Sequence, residues 1–268
     1  MIHALFDLTG RVAVVTGAAR GLGRAMALAF AEAGASLVLV DRDTEGAHAT
    51  AAEAATNGHR AVAMAADVSD PKALQQLFES VDREFGRVDI LGNVAGDGVL
   101  GRPEELTIAQ VEEQFRNLVI GRFAACQEAG RRMLAAGKGT IINIGSLASI
   151  TALGRGHVAY SMAMGAVAQM TRELSTEWAA RGVRVNAILP AQVLNPGLAH
   201  RMAQDPGLEA TFLRGIPAGR LGRPEDIQGL ALFLASDASS WITGALIPMD
   251  GGNLAVNAGG TVGQRLPR

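Results

Sequence analysis

The chain has 268 residues, a net charge of −2, 49% hydrophobic residues and one cysteine. A chain of this length buries its own core, and the lone Cys126 excludes an internal disulfide framework and a cysteine-based metal site. Dispersed charges of both signs speak against nucleic acid or an anionic membrane surface as a partner. The start, Met1-Ile-His-Ala-Leu-Phe-Asp7, is too short and acidic to read as a signal peptide, and no uncharged run of 18 apolar residues occurs. A cytoplasmic protein is the expectation.

In chain order, short aliphatic runs alternate with longer amphipathic segments. Val12–Thr16 is the first strand, followed by helical spacing over residues 21–33. Residues 37–40 form the next strand and 45–56 the next helix. Ala61–Ala65 and residues 90–91, 140–144, 183–189 and 245–248 are further strands. Long helices are expected over 107–136 and 160–181. Nearly continuous apolar strands imply burial on both faces. Strand–helix alternation implies right-handed crossovers and a parallel sheet. Residues 1–252 read as one domain, and the tail 253–268 lacks periodicity.

Thr16-Gly17-Ala18-Ala19-Arg20-Gly21-Leu22-Gly23 joins the first strand to the first helix. In that context Gly17 permits a tight turn, Gly21 lets backbone approach a pyrophosphate, and Gly23 lets helix pack on strand. The helix N-terminus offers free N–H groups to the phosphates. Asp41 ends the second strand, 24 residues beyond Gly17. A carboxylate there accepts bonds from ribose hydroxyls and repels a 2′-phosphate, which favours NAD over NADP. Arg20 and Arg42 pull the other way, since either can pair with a phosphate.

The Thr-Gly-x-x-x-Gly-x-Gly spacing resembles that of the short-chain dehydrogenase/reductase family, over about residues 8–252. Asp67-Val68 is similar to the family's adenine-contacting pair. Asn93-Val94-Ala95-Gly96 is similar to its Asn-Asn-Ala-Gly. Arg184 to Pro190 resembles the sixth strand and the proline turn under the nicotinamide, with Val193 and Asn195 on the carboxamide side. The resemblance implies a single doubly wound Rossmann domain of the α/β class. Its parallel sheet would have seven strands in the order 3-2-1-4-5-6-7, with helices on both faces. It also implies a homotetramer built on the long helices.

The family's chemistry uses a tyrosine as acid or base, a serine on the same oxygen, a lysine four residues after the tyrosine, and an asparagine that anchors a water relay. Tyr160, the only tyrosine of the chain, matches the first, and Ser146 matches the second with Ser149 as its rival. The lysine position holds Met164. A cation about 5 Å from a phenol, at an effective dielectric of about 20, favours the phenolate by roughly 3 kcal/mol, or about two pKa units. Met164 supplies none of this, so it reads either as an engineered inactivation or as a native feature with another proton route. The asparagine register falls on Leu118, one residue from Asn117; either a local helix bulge brings Asn117 back to the site or Asn117 is a surface polar residue. His157 precedes Tyr160 by three residues and either lines the substrate pocket or sits on the surface.

Two functions follow. One is an NAD(P)-dependent oxidoreductase that interconverts a secondary alcohol and a ketone on a small, polar or sugar-like molecule, impaired by Met164. The other is a dinucleotide-binding protein without significant turnover. Residues 197–217 are expected to form a lid over the substrate. No histidine pair has ligand spacing, so no metal is expected.

Overall fold

The computed structural model describes residues 2–55 and 59–256. The last residue of the expected second helix, Thr56, and the tail beyond 256 lie outside the described residues. Seven parallel strands form one sheet in the order β3-β2-β1-β4-β5-β6-β7. They are β1 (Val12–Thr16), β2 (Ser36–Asp41), β3 (Ala61–Ala65), β4 (Ile90–Asn93), β5 (Gly139–Ile144), β6 (Val183–Pro190) and β7 (Leu246–Met249). The helices are α1 (Gly21–Glu32), α2 (Thr44–Ala55), α3 (Pro71–Phe85), α4 (Ile108–Phe115), α5 (Gly121–Ala136), α6 (Val158–Trp178), α7 (Pro196–Gln204), α8 (Leu208–Leu213) and α9 (Gln228–Ala235).

Alternate strand residues feed two cores, as a pleated sheet buried on both sides requires. Ala13, Val15, Leu37, Leu39 and Ile142 pack with Met26 and Phe30 of α1 and Leu234 of α9. Val14, Val38, Leu91 and Ile141 pack on the other face with Phe78 of α3 and Met133 of α5. The strand order reverses between β1 and its neighbours β2 and β4. Such a reversal opens a crevice at the C-terminal strand ends, where ligands bind in open α/β sheets.

Helix α3 was not singled out from the pattern, although its signals are local. Asp70 caps it by accepting from the Lys72 N–H at 2.9 Å, Pro71 follows, and Gly86 closes it at φ +69°. The expected helix over 107–136 is interrupted by a π-helical turn at Arg116–Ile120. That turn delivers Gly121 against the loop after β3, where a Cβ would lie 2.1 Å from the Val68 carbonyl oxygen.

Candidate active site

At the β1–α1 turn each glycine has a different steric reason. Gly17 has φ +70°, closed to most side chains. A Cβ on Gly23 would stand 2.1 Å from the Gly17 carbonyl oxygen. Gly21 has φ +57° and open space before it, with no atom within 4 Å of a Cβ position. The Thr16 hydroxyl accepts from the Val94 and Ala95 N–H groups at 3.0 and 3.1 Å, which ties the ends of β1 and β4 together.

Asp41 holds the same turn from β2. Its carboxylate accepts from the Ala19 N–H and the Asp43 N–H, each at 3.0 Å. Arg20, Asp41, Arg42, Asp67, Val68 and Asn117 share one cleft of about 190 Å³ with Gly17, Gly23, Ala95 and Gly96. Arg42 is 65% exposed and lies 3.7 Å from the carboxylates of both Asp67 and Asp97. Two hydrogen bonds from Ser69, with Arg42 beyond them, hold the Asp67 carboxyl below its usual range. Asn93 is 1% exposed and faces inward, donating to the Arg122 carbonyl at 2.9 Å and the Asn143 side chain at 3.1 Å.

A second cleft, of about 530 Å³, opens beside the first. Ser146, His157 and Tyr160 line it, together with Leu22, Pro190 and Val193. Ser146 also caps the turn after β5, its hydroxyl accepting from the Ala148 N–H at 3.2 Å, while Ser149 backs it by accepting from the Ser146 N–H. His157 stands edge-on to Tyr160, ring centres 6.0 Å apart, with Nδ1 2.8 Å from the Gly154 carbonyl. Burial pushes the His157 imidazole below its ordinary value.

Asn195 lines this cleft, but its amide caps α7. Oδ1 accepts from the Leu198 N–H at 2.9 Å, and Nδ2 donates to the Val193 carbonyl at 3.0 Å. The nearby Gln192 also lines the cleft, and its buried Oε1 has no hydrogen-bond partner among the described residues. The expected lid consists of α7 and α8, whose Leu198 and Phe212 both line the cleft.

Beneath Tyr160 the polar pair that the resemblance implied is absent. Met164, one turn along α6, is 1% exposed. It shares an apolar cluster with Leu118, Ala148, Ala163 and Val167. The π-helical turn sends Leu118 to the Tyr160 cleft and Asn117 to the cofactor cleft, where Asn117 Nδ2 donates to the Asp97 carbonyl at 3.2 Å. Arg122, which the sequence reading passed over, lines the Tyr160 cleft although only 3% exposed. Its signal was an arginine on the helical face of the buried Leu118, Cys126 and Ala129.

The paired clefts fit a nicotinamide dinucleotide. Space stands open over Gly21, a carboxylate is fixed at the end of β2, and Gln192 offers an orphaned acceptor beside Pro190. Among the described residues no group of three His, Cys, Asp or Glu could hold a metal ion, and no helix is long and apolar enough to cross a membrane.

A family model described as enoyl-(acyl carrier protein) reductase matches residues 17–253. D-threitol dehydrogenase of Mycolicibacterium smegmatis is 42% identical over 92% of this chain and 94% of its own length. An NAD-dependent glycerol dehydrogenase of Listeria innocua is 39% identical over 92% and 95%. A gluconate 5-dehydrogenase of Burkholderia cenocepacia, solved with NADP and tartrate, superposes with a TM-score of 0.89 at 30% identity, covering 96% of this chain and 100% of that one.

Proposed function

The chain belongs to the short-chain dehydrogenase/reductase family and, like the polyol dehydrogenases among its relatives, is an oxidoreductase of secondary alcohols and ketones; from that premise we propose that its substrate is a polyol or sugar-derived hydroxy acid bearing an anionic group. One observation carries the proposal. The cleft that gathers Ser146 and Tyr160 also gathers Arg155 and Arg201. Neither arginine has an ion-pair partner among the described residues, and the charge of Arg201, after burial, pushes the Arg155 guanidinium down. Arg155 is held at φ +59°, the only positive φ outside glycine among the described residues, with its guanidinium 4.9 Å from the Phe212 ring centre. A left-handed conformation costs roughly 1–2 kcal/mol outside glycine. Two unpaired cations in a cleft, one on strained backbone, call for an anion. The polyol names of the relatives support the polyhydroxy part of this reading, and the tartrate in the solved neighbour supports the anionic part.

The residues at the cofactor cleft divide the binding work. Gly17, Gly21, Leu22 and Gly23 cradle the pyrophosphate. Asp41 takes the adenosine ribose, with Asp67 and Val68 beside the adenine. Ala95 and Gly96 shape the middle of the cleft with Asn93 packed inward behind them, Pro190 and Val193 face the nicotinamide, and Gln192, rather than the capping Asn195, accepts from its carboxamide. When bound, the dinucleotide exchanges hydride with the carbon carrying the reacting oxygen. Ser146 donates to that oxygen, and Tyr160 gives it a proton in reduction or takes one in oxidation. Asp41 supports NAD, as does the NAD-dependent relative, whereas Arg42 and the NADP of the solved neighbour weigh for NADP. Exposed Ile108, Ile120, Phe123 and Met162 on α4 to α6 support the expected homotetramer.

Initial rates with NAD and NADP test the substrate class on four- to six-carbon hydroxy acids against the matching neutral polyols. The acids are expected to lead by at least about tenfold in kcat/KM, one extra charge-assisted contact. Arg201→Met should erase that lead while sparing the polyols. Tyr160→Phe should cut turnover of both by about 10²–10⁴-fold. A preference for neutral polyols, unchanged in Arg201→Met, overturns the anionic substrate.

A further inference from the structure

We propose that His157 selects the substrate by accepting a hydrogen bond from a hydroxyl on the carbon next to the reacting one, which makes the substrate a vicinal diol. The inference deepens the proposed substrate class and rests on the reading of Ser146 and Tyr160 as the pair that holds the reacting oxygen.

The state of the ring follows from one bond. His157 Nδ1 lies 2.8 Å from the Gly154 carbonyl oxygen. A carbonyl only accepts, so Nδ1 carries the hydrogen. In the neutral ring Nε2 is then a bare acceptor. Burial, and after it the charges of Arg155 and Arg201, keep the ring neutral at pH 7. Among the described residues no donor reaches Nε2, and the atom is not sealed away from solvent. The ring lines the same cleft as Ser146 and Tyr160.

The ring is also held in place. Gly154, Arg155 and Gly156 have φ of +65°, +59° and +77°, and the Nδ1 bond closes that left-handed turn. From the β4–α4 loop the Gly101 N–H donates to the Gly156 carbonyl at 3.0 Å, and a Cβ on Gly156 would stand 2.9 Å from the Gly101 carbonyl oxygen. His157 then opens α6 three residues before Tyr160, with ring centres 6.0 Å apart. Side chains three apart on a helix are neighbours, so the pair can meet two adjacent oxygens of one molecule.

The chemistry of the cleft leaves this task to His157. Each hydroxyl of a polyol has a hydrogen to donate, and leaving it unmet in a closed site weakens binding. Among the described residues no Asp or Glu lines the cleft. Arg122, Arg155 and Arg201 line it but can only donate. Asn195 is committed to capping α7, Gln192 to the carboxamide, and Ser146 and Tyr160 to the reacting oxygen. His157 Nε2 is the side-chain acceptor that remains. The charges of Arg155 and Arg201 both reach this ring, so an anion between them lies next to the hydroxyl that His157 takes. A 2,3-dihydroxy acid oxidised at its third carbon fits that arrangement.

The test uses two uncharged alcohols that differ by the second hydroxyl, so it is independent of the anionic group. kcat/KM per carbinol is measured for 2,3-butanediol, each stereoisomer separately, and for 2-butanol. At least one diol is expected to lead by about tenfold or more. Three variants separate the contact from the scaffold. His157→Gln sets an amide oxygen where Nε2 stood and should keep most of the lead. His157→Asn reaches only as far as Nδ1, so it can still bond Gly154 and keep the turn, yet it should lose the lead. His157→Phe should lose it as well. No lead in the unmutated protein overturns the proposal, as does a full lead in His157→Asn or a His157→Gln that loses as much as His157→Phe. If His157→Phe does not fold, the contrast of Gln with Asn decides: equal ratios overturn the proposal and a lead kept only by Gln supports it. An intact diol lead without a preference for acids overturns the anionic group alone. If no alcohol turns over, the oxidoreductase reading falls, and NADH fluorescence of the loaded Tyr160→Phe protein decides for His157. Acetoin binding about tenfold tighter than 2-butanone supports the contact, and equal Kd values overturn it.

Discussion

The two ends of the dinucleotide crevice obey different rules. At the β1–α1 turn, each residue does what its place in the spacing dictates, because the role is steric and local. Gly17 serves through its own φ and Gly23 through its own missing Cβ, and no other element can supply either. Under Tyr160 the needed property is a charge, and charge acts through space. It can be delivered by any helix that reaches the spot; here the Tyr160 helix carries the buried, uncharged Met164, while the buried Arg122 of α5 lines the same cleft as Tyr160. Steric roles therefore stay pinned to sequence positions, while electrostatic roles are free to migrate.

The sharpest way to break that contrast is at Gly23. An alanine Cβ would meet the Gly17 carbonyl carbon and oxygen at 2.7 and 2.1 Å, both backbone. Gly23→Ala must displace the turn. Dinucleotide affinity is expected to fall at least about 100-fold and stability by about 1–3 kcal/mol. Gly21→Ala meets open space and bears only its φ of +57°, a cost of roughly 1 kcal/mol. Calorimetric titration with NADH and thermal unfolding of both variants check the pair. Equal effects would mean that the crowding at Gly23 decides nothing.

A smaller effect is expected at Asp41, where a steric and an electrostatic role coincide. Its carboxylate holds the Ala19 and Asp43 N–H groups and also supplies the charge that a 2′-phosphate must face. Asp41→Asn removes the charge and one acceptor. The ratio of kcat/KM for NADP over NAD should rise about tenfold or more, roughly 1.4 kcal/mol or above. The exposed Arg42 would then meet the phosphate without an opposing Asp41 charge. An unchanged ratio would take cofactor choice away from this residue.

The same division explains what could be read in the sequence. Strand order and both helical layers followed from aliphatic runs, their alternation with helical segments and the family resemblance; a π-helical turn does interrupt the helix at Arg116–Ile120, but it leaves Asn117 in the cofactor cleft instead of returning it to Tyr160. Ser146, His157 and Tyr160 do share one cleft. The spacing did not reveal which polar groups were already committed. Asn195 looks available in the sequence, yet it caps α7. Gln192 looks like filler, yet its buried oxygen is orphaned. Arg122 looks like one more helix arginine until the carbonyl rim at Val94, Ala95 and Ile144 closes around it. Each depends on tertiary neighbours tens of residues away, which periodicity does not carry.

The mildest test concerns His157, at the electrostatic end. Burial first, and then the charges of Arg155 and Arg201, hold its imidazole below the ordinary value. Above about pH 6.5 the ring is neutral whether the chain is folded or not. Below that, the unfolded chain takes up a proton that the folded one resists, so the stability tied to His157 is present above pH 6.5 and is lost as pH falls through the lowered folded value. Thermal midpoints should therefore drop with acidification more steeply in the natural protein than in His157→Gln, by about 2 °C or less. An anion bound between Arg155 and Arg201 would cancel part of their repulsion and shallow the slope. If tartrate shallows it in the natural protein but not in Arg201→Met, the field felt by His157 and the charge of the substrate are set by the same two arginines.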